Sequence, residues 1–222
     1  MTEAAEERTI VFVDLAGFTA LTETHGDEQA ADLVEQFVSL TREALGPEDR
    51  LIKSIGDAVM LTAATPGAAL ESLGRLLEGC YATADFPLPR AGLHHGPVAE
   101  RGGDVFGSAV NLAARITGQA SGGQVLGTLP IAAAARVADL PVVNLGHIQL
   151  RNIAAPVEHF NIALADAQTQ SYAVDPVCRM RVDPAHAAGR LRYADTDWWF
   201  CSLACAARFA QAPEQSLQHA RE

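Results

Sequence analysis

An apolar run that stops at an acid and turns straight into a helix constrains this chain more than any other stretch. Ile10-Val11-Phe12-Val13-Asp14 is followed by Leu15-Ala16-Gly17-Phe18-Thr19. Such a run reads as a short buried strand over Thr9 to Val13, a turn whose free amides face anions, and then a helix. A second acid sits in a comparable place. In Lys53-Ser54-Ile55-Gly56-Asp57-Ala58-Val59-Met60, apolar residues alternate on both sides of the Gly56-Asp57 turn, the pattern of a hairpin with its carboxylate at the tip. Two carboxylates at neighbouring strand ends suit a hard divalent cation, usually magnesium bound together with a ligand's phosphates. Lys53 is the single lysine among 16 basic residues, which sets it apart beside that tip.

The rest of the first two thirds continues the alternation of strands and helices. Ala30, Leu33, Val34, Phe37, Val38 and Leu45 recur at helical spacing until Gly46-Pro47 ends the segment. Leu51 to Ala63 forms the hairpin, Ala68 to Ala82 a second helix, and Arg90 to Val98 a strand. Ser108 to Ile116 begins a third helix; Gln124 to Leu126 is a short strand, and a further helix lies near Ile131 to Val137. Val142 to Leu150 and Val157 to Leu164 close the series as strands. The order β-α-β-β-α-β predicts an α+β fold, a ferredoxin-like sheet with flanking helices.

Charge and cysteine divide the chain. The net charge is −11, yet residues 175–222 hold six acids against six arginines, so the whole surplus lies before them. An acidic main domain argues against a nucleic-acid surface, which needs clustered lysine and arginine. No apolar run approaches the roughly 20 residues of a membrane span, and Met1 to Glu7 lacks the basic-then-apolar order of a signal peptide. The cytoplasm is therefore the expected location. Cys80 stands alone, whereas Cys178, Cys201 and Cys205 cluster near the end. In a reducing compartment such a cluster points to a metal or redox site rather than a disulfide framework. The expected organisation is an acidic tail over residues 1–7, a main domain over 8–164, a linker over 165–174 and a small cysteine-containing domain over 175–222.

Four motifs in order carry a family resemblance. They are the first Asp stretch; Lys53 to Met60; Gly92-Leu93-His94-His95-Gly96-Pro97-Val98; and Asp104-Val105-Phe106-Gly107-Ser108-Ala109-Val110-Asn111-Leu112-Ala113-Ala114-Arg115. Together they resemble a class III nucleotidyl cyclase catalytic domain. The resemblance implies that Asp14, Asp57 and the backbone carbonyl of Leu15 hold two magnesium or manganese ions over a triphosphate, with Phe18 and Thr19 at the phosphates. It implies that Lys53 and Asp104 read the base: lysine donates to a ring acceptor and aspartate accepts from adenine's amine, so ATP is favoured over GTP. Asn111 and Arg115, four apart on one helix face, would position the ribose and stabilise charge on the transferring phosphate. Arg151 falls where the family usually has a lysine gripping the terminal phosphates. Family architecture further implies a homodimer with sites at the interface. His94, His95 and Cys80 read as packing residues.

The end of the chain resembles a second family. Asp175-Pro176-Val177-Cys178-Arg179-Met180, Tyr193, Phe200-Cys201-Ser202-Leu203-Ala204-Cys205 and Phe209 resemble a YHS domain, with Arg179 where glycine is usual and a bulky Trp198-Trp199 pair. Cys178, Cys201 and Cys205 would converge on a soft metal, Zn2+ or Cu+. His186, Asp175 or water is open as the fourth ligand. The expected function is adenylate cyclase, making cyclic AMP and pyrophosphate from ATP, with a tail that senses metal or redox state. The competing expectation is a non-catalytic, cyclase-like dimer that binds nucleotide as a regulatory or metal-sensing module.

Overall fold

The structure is a computed structural model that describes residues 6–164 and 172–219. The expected linker residues 165–171 and most of the expected N-terminal tail lie outside the described residues. Strand β1 (Glu6–Leu15) leads into α1 (Phe18–His25) and α2 (Asp27–Ala44), then the hairpin β2 (Arg50–Ile55) and β3 (Ala58–Ala63), helix α3 (Pro66–Ala82) and the long strand β4 (Pro89–Arg101). This is the expected β-α-β-β-α-β unit, its strands ordered β2-β3-β1-β4 with antiparallel neighbours throughout. The sheet is then extended by β5 (Asp104–Phe106), which pairs with the end of β4, and by β6 (Val125–Gly127), β8 (Val157–Ile162) and β7 (Val142–Ile148) beyond β4. Helices α4 (Ser108–Thr117) and α5 (Leu129–Val137) complete this part.

The two faces of β1 separate the helices. Val11, Val13 and Leu15 point into the larger core with Phe37 of α2 and Leu73, Leu76 and Leu77 of α3. Ile10 points the other way, into a smaller cluster with Met60, Val98, Ala109 and Ala113 beneath α4. Strand periodicity places Phe12 and Asp14 on that second face. Helix α4 closes on β4 at Gly92, where no side chain fits beneath the backbone of Thr117.

Three boundaries differ from those expected from sequence. Glu6 and Glu7 belong to β1, paired with Val98 and Pro97 of β4, because the long strand β4 offers partners for them beyond the apolar run. The first helical segment is two helices, broken at Gly26 (φ +87°, ψ 168°), a conformation that glycine adopts most readily. Ala173–Val174, expected as linker, form β9 and pair with β10 (Arg181–Val182).

The last part adds the hairpin β11 (Gly189–Tyr193) and β12 (Thr196–Phe200), then α6 (Leu203–Gln211) and α7 (Pro213–His219). It is docked onto the main domain rather than appended to it. Cys178, Met180, Phe200, Cys205 and Phe209 share one apolar cluster with Leu21, Phe37 and Phe86. Arg181, only 6% exposed, donates to the carbonyls of Cys80 (2.7 Å), Thr83 (2.7 Å), Tyr81 (3.1 Å) and Phe86 (3.1 Å). These carbonyls lie at or just past the C-terminus of α3, where helix acceptors lack internal partners and the dipole favours a cation. Arg181→Met keeps the apolar stem and deletes the donors. It should cost roughly 2–3 kcal/mol in urea unfolding, the penalty for buried acceptors left unpaired.

Candidate functional site

Asp14 is the next-to-last residue of β1, with Ala58 of β3 opposite on one side and Arg90 of β4 on the other. Gly56 (φ +59°) turns the β2–β3 hairpin tightly, and the Leu15 amide donates to the Asp57 carbonyl at 3.3 Å. The side chains of Asp14 and Asp57 thereby meet in a hydrogen bond. Burial, then the charge of Asp14 and that hydrogen bond, push Asp57 up to about 6. Arg90 grips Asp14 Oδ2 through Nε (2.7 Å) and Nη2 (2.5 Å). Two carboxyls brought together, with the Arg90 guanidinium engaged on one of them, fit a divalent ion. Beside them, Gly17 (φ +78°) opens α1, so the amides of Phe18 and Thr19 belong to the unpaired first turn.

Lys53 and Asp104, 51 residues apart, come together from β2 and β5. Lys53 Nζ lies 2.8 and 2.7 Å from the two carboxylate oxygens, and Oδ1 also accepts from the Val105 amide at 2.8 Å. The Lys53 hydrogen bond holds Asp104 below the usual carboxylate range. Both side chains are about one-third exposed, so a donor and an acceptor stand together at an accessible edge. The same hairpin carries Lys53 and Asp57.

Asn111 and Arg115 project from the solvent side of α4, whose inner side is Ala109, Ala113 and Ile116. Arg151 sits exposed in the turn after β7. Among the described residues, no hydrogen bond or ion pair joins these three to Asp14, Asp57, Lys53 or Asp104. The histidines of β4 pack as expected: His94 Nδ1 lies 2.8 Å from Thr128 Oγ1 and His95 Nδ1 2.9 Å from Thr9 Oγ1. Burial raises Cys80 to about 12, the state of an inert buried thiol.

The three C-terminal cysteines also converge, with a partner that sequence spacing did not reveal. His25, at the end of α1, joins Cys178, Cys201 and Cys205, and all four ligand atoms lie within 4.8 Å of one another. The expected fourth positions are otherwise engaged. His186 pairs with Asp183 at 2.7 Å on the surface. Asp175 is fully buried, and its carboxylate accepts from the amides of Val177 (2.8 Å), Cys178 (3.4 Å) and Cys201 (2.9 Å), which fixes two of the cysteine loops. Arg90 was read only as the start of a strand. Its signal was an arginine among small residues at a strand entrance, and only register showed that it opposes Asp14.

Two family models match the chain. The adenylate and guanylate cyclase catalytic domain matches residues 1–163, and the YHS domain matches residues 173–220. A pH-sensitive adenylate cyclase of Mycobacterium tuberculosis is 41% identical over 122 residues, covering 55% of this chain and 31% of that protein. An adenylate cyclase of Streptomyces griseus is 40% identical over 107 residues, covering 48% of this chain and 27% of that protein. The chain thus spans about a third of the length of these curated relatives. Among solved structures, an adenylate cyclase of Trypanosoma brucei in its monomeric state superposes with a TM-score of 0.67 at 21% identity, covering 82% of this chain and 96% of that one. The chain belongs to the adenylate and guanylate cyclase catalytic domain family and carries a YHS domain after it.

Proposed function

We propose that the chain is an adenylate cyclase, converting ATP to 3′,5′-cyclic AMP and pyrophosphate. The observation that carries this reading is the pairing of Lys53 with Asp104 on the same hairpin system that sets Asp57 against Asp14. Lysine offers a donor to a ring nitrogen, and aspartate accepts from adenine's exocyclic amine. Guanine presents a carbonyl at that place, which leaves the carboxylate unpaired. Two relatives named as adenylate cyclases support the same choice of base.

Asp14, Asp57 and the carbonyl of Leu15 would hold two divalent ions, magnesium or manganese, which would supply positive charge beside the ribose 3′-hydroxyl and the triphosphate. Arg90 orients Asp14 through its two contacts with Oδ2. The amides of Phe18 and Thr19 receive phosphate oxygens at the start of α1. The 3′-oxygen bonds to the α-phosphorus, the bond to the bridging oxygen of pyrophosphate breaks, and the hydroxyl proton leaves to solvent. Asn111 orients the ribose, and Arg115 stabilises charge on the transferring phosphoryl group; Arg151 grips the terminal phosphates.

Asn111 and Arg115 act from a second copy of the chain. Their exposure on the outer side of α4 supports this, as does the exposure of Ile55 (58%) and Phe106 (50%) beside the Lys53–Asp104 edge. The C-terminal domain is the regulatory part, answering to metal or redox state. Among the described residues, no helix is long and apolar enough to cross a membrane. The cytoplasm, where thiols stay reduced, suits its cysteines.

Incubation of the purified chain with ATP or GTP, in magnesium and then manganese, tests the activity. Cyclic AMP should form and fall at least about a hundredfold in Asp57→Ala; a silent wild-type dimer would favour the nucleotide-binding module instead. Asp104→Ala should reduce the preference for ATP over GTP by roughly tenfold or more in kcat/KM. Mixing inactive Asp57→Ala with inactive Arg115→Ala should restore about one quarter of wild-type activity. Half of randomly mixed dimers then carry one intact site of two. No recovery from a verified mixed dimer would mean that Arg115 does not act across chains.

A further inference from the structure

The cysteine cluster has the dimensions of a metal site, and its fourth member comes from the cyclase domain. Cys201 Sγ lies 3.4 Å from Cys178 Sγ and 3.6 Å from Cys205 Sγ, while His25 Nε2 lies 3.5 and 3.7 Å from the sulfurs of Cys201 and Cys205. A tetrahedral zinc ion with Zn–S near 2.3 Å and Zn–N near 2.0–2.1 Å needs S···S of about 3.8 Å and S···N of about 3.5 Å. The observed separations fall within a few tenths of an ångström of those values. All three cysteines are free thiols. Cys205 stands in the first turn of α6, where its amide donates to Oγ of the N-cap residue Ser202 at 3.1 Å and fixes its place in the cluster. Asp175 holds the loops of Cys178 and Cys201 from behind, the outer-shell support usual around ligating residues. Three sulfurs and one imidazole, four soft to borderline ligands, select zinc over harder cations.

The position of His25 gives the site a consequence. It ends α1, and α1 begins at the phosphate-facing turn Gly17-Phe18-Thr19, about 10 Å away along the helix axis. The tail meets that turn a second time. Arg179, next to the ligand Cys178, lays its stem over Gly17 so closely that no side chain fits there. Arg179 holds a left-handed backbone (φ +65°), an unfavourable conformation for arginine, in the place where YHS domains usually have glycine. Arg208 of α6 adds bonds to Thr24 Oγ1 (2.8 Å) and the Glu23 carbonyl (3.3 Å). Both ends of α1 are therefore held by the C-terminal domain.

We propose that His25, Cys178, Cys201 and Cys205 form one interdomain zinc site, and that zinc in it fastens α1 and its phosphate-facing turn to the C-terminal domain. The zinc site stands on its own geometry. Its effect on nucleotide binding rests on the cyclase reading above.

The test uses the full chain, reduced and stripped of metal, titrated with Co2+ as a spectroscopic stand-in and then with Zn2+. One equivalent of Co2+ should give the intense visible bands of a tetrahedral thiolate site and a sulfur-to-metal charge-transfer band, both bleached by Zn2+. Cys178→Ser should abolish tight binding. His25→Ala should shift the visible bands and weaken Zn2+ binding by at least about tenfold, no less than the loss of an outer-shell partner. His25→Cys should restore tight, tetrahedral binding, and His186→Ala should match the wild type. A reduced full chain that takes up no metal would overturn the site; a His25→Ala spectrum and affinity equal to wild type would remove His25 from it. For the coupling, removing Zn2+ should raise the Kd for a non-hydrolysable ATP analogue several-fold in the wild type and leave it unchanged in His25→Ala. An unchanged wild-type Kd with the metal site intact would overturn the coupling alone. A chain that binds the analogue but forms no cyclic AMP would overturn the cyclase reading and leave the zinc site standing.

Discussion

The central place of β1 is the constraint on which the rest of the structure depends. Antiparallel ladders hold it on both edges, to β3 and to β4, along nearly its whole length. A one-residue slip in either ladder would exchange the faces of Ile10 and Val11 and place an acid in the core. With the register fixed by Val11, Val13 and Leu15 beneath α2 and α3, Asp14 has a single position. It faces the hairpin tip on one side and Arg90 on the other. The site thus inherits its precision from packing. Two carboxyls are held together because the β1–β3 ladder and the bond from the Leu15 amide to the Asp57 carbonyl fix the hairpin turn beside Asp14, and Arg90 offsets the charge of one.

The second constraint is the end of α3. A helix terminus buried by a neighbouring domain leaves carbonyls without partners, and burying an arginine costs several kcal/mol unless its donors are matched. Arg181 answers both needs at once, since four backbone carbonyls receive its guanidinium. Pro87 and Met180 extend the contact with an isolated bridge. Fewer than 50 residues have difficulty building a core alone, and here they need not, because Phe200 and Phe209 belong to the same apolar cluster as Phe37 and Phe86. A metal at the proposed site would then not be needed to hold the small domain together and could instead fix how it meets α1.

What sequence made legible was local or chemically unusual. Asp14 and Asp57 were visible because each stands at an abrupt change of pattern, and Lys53 because it has no other lysine for company. The β-α-β-β-α-β order followed from periodicity, and its strand order in the sheet agrees with it. The break between α1 and α2 was less visible, since the apolar spacing from Ala30 onward says nothing of Gly26. His25 could not be found by spacing at all. More than 150 residues separate it from Cys178, and its role depends on a docking that the sequence does not encode locally. Arg179 was noticed as a departure from glycine, and the structure supplies the reason: the position requires a positive φ. Arg90 and Arg181 were hidden among 15 arginines, identifiable only through register and burial.

Two left-handed residues face each other where the domains meet, Gly17 at φ +78° and Arg179 at φ +65°. Gly17 takes its conformation without cost, and its missing side chain admits the Arg179 stem; Arg179 is strained and needs the docked surroundings to hold it. The contact therefore exists only when both the turn and the cysteine loop hold their present shapes. Anything that orders the cysteine loop favours the present shape of the turn. By linkage, anything that orders the turn favours the cysteine loop by the same free energy. A nucleotide at Phe18 and Thr19 and a metal at His25 would then be partners in one equilibrium, although they bind different domains. No long relay would be required, because the two proposed sites lie at opposite ends of a single helix of eight residues.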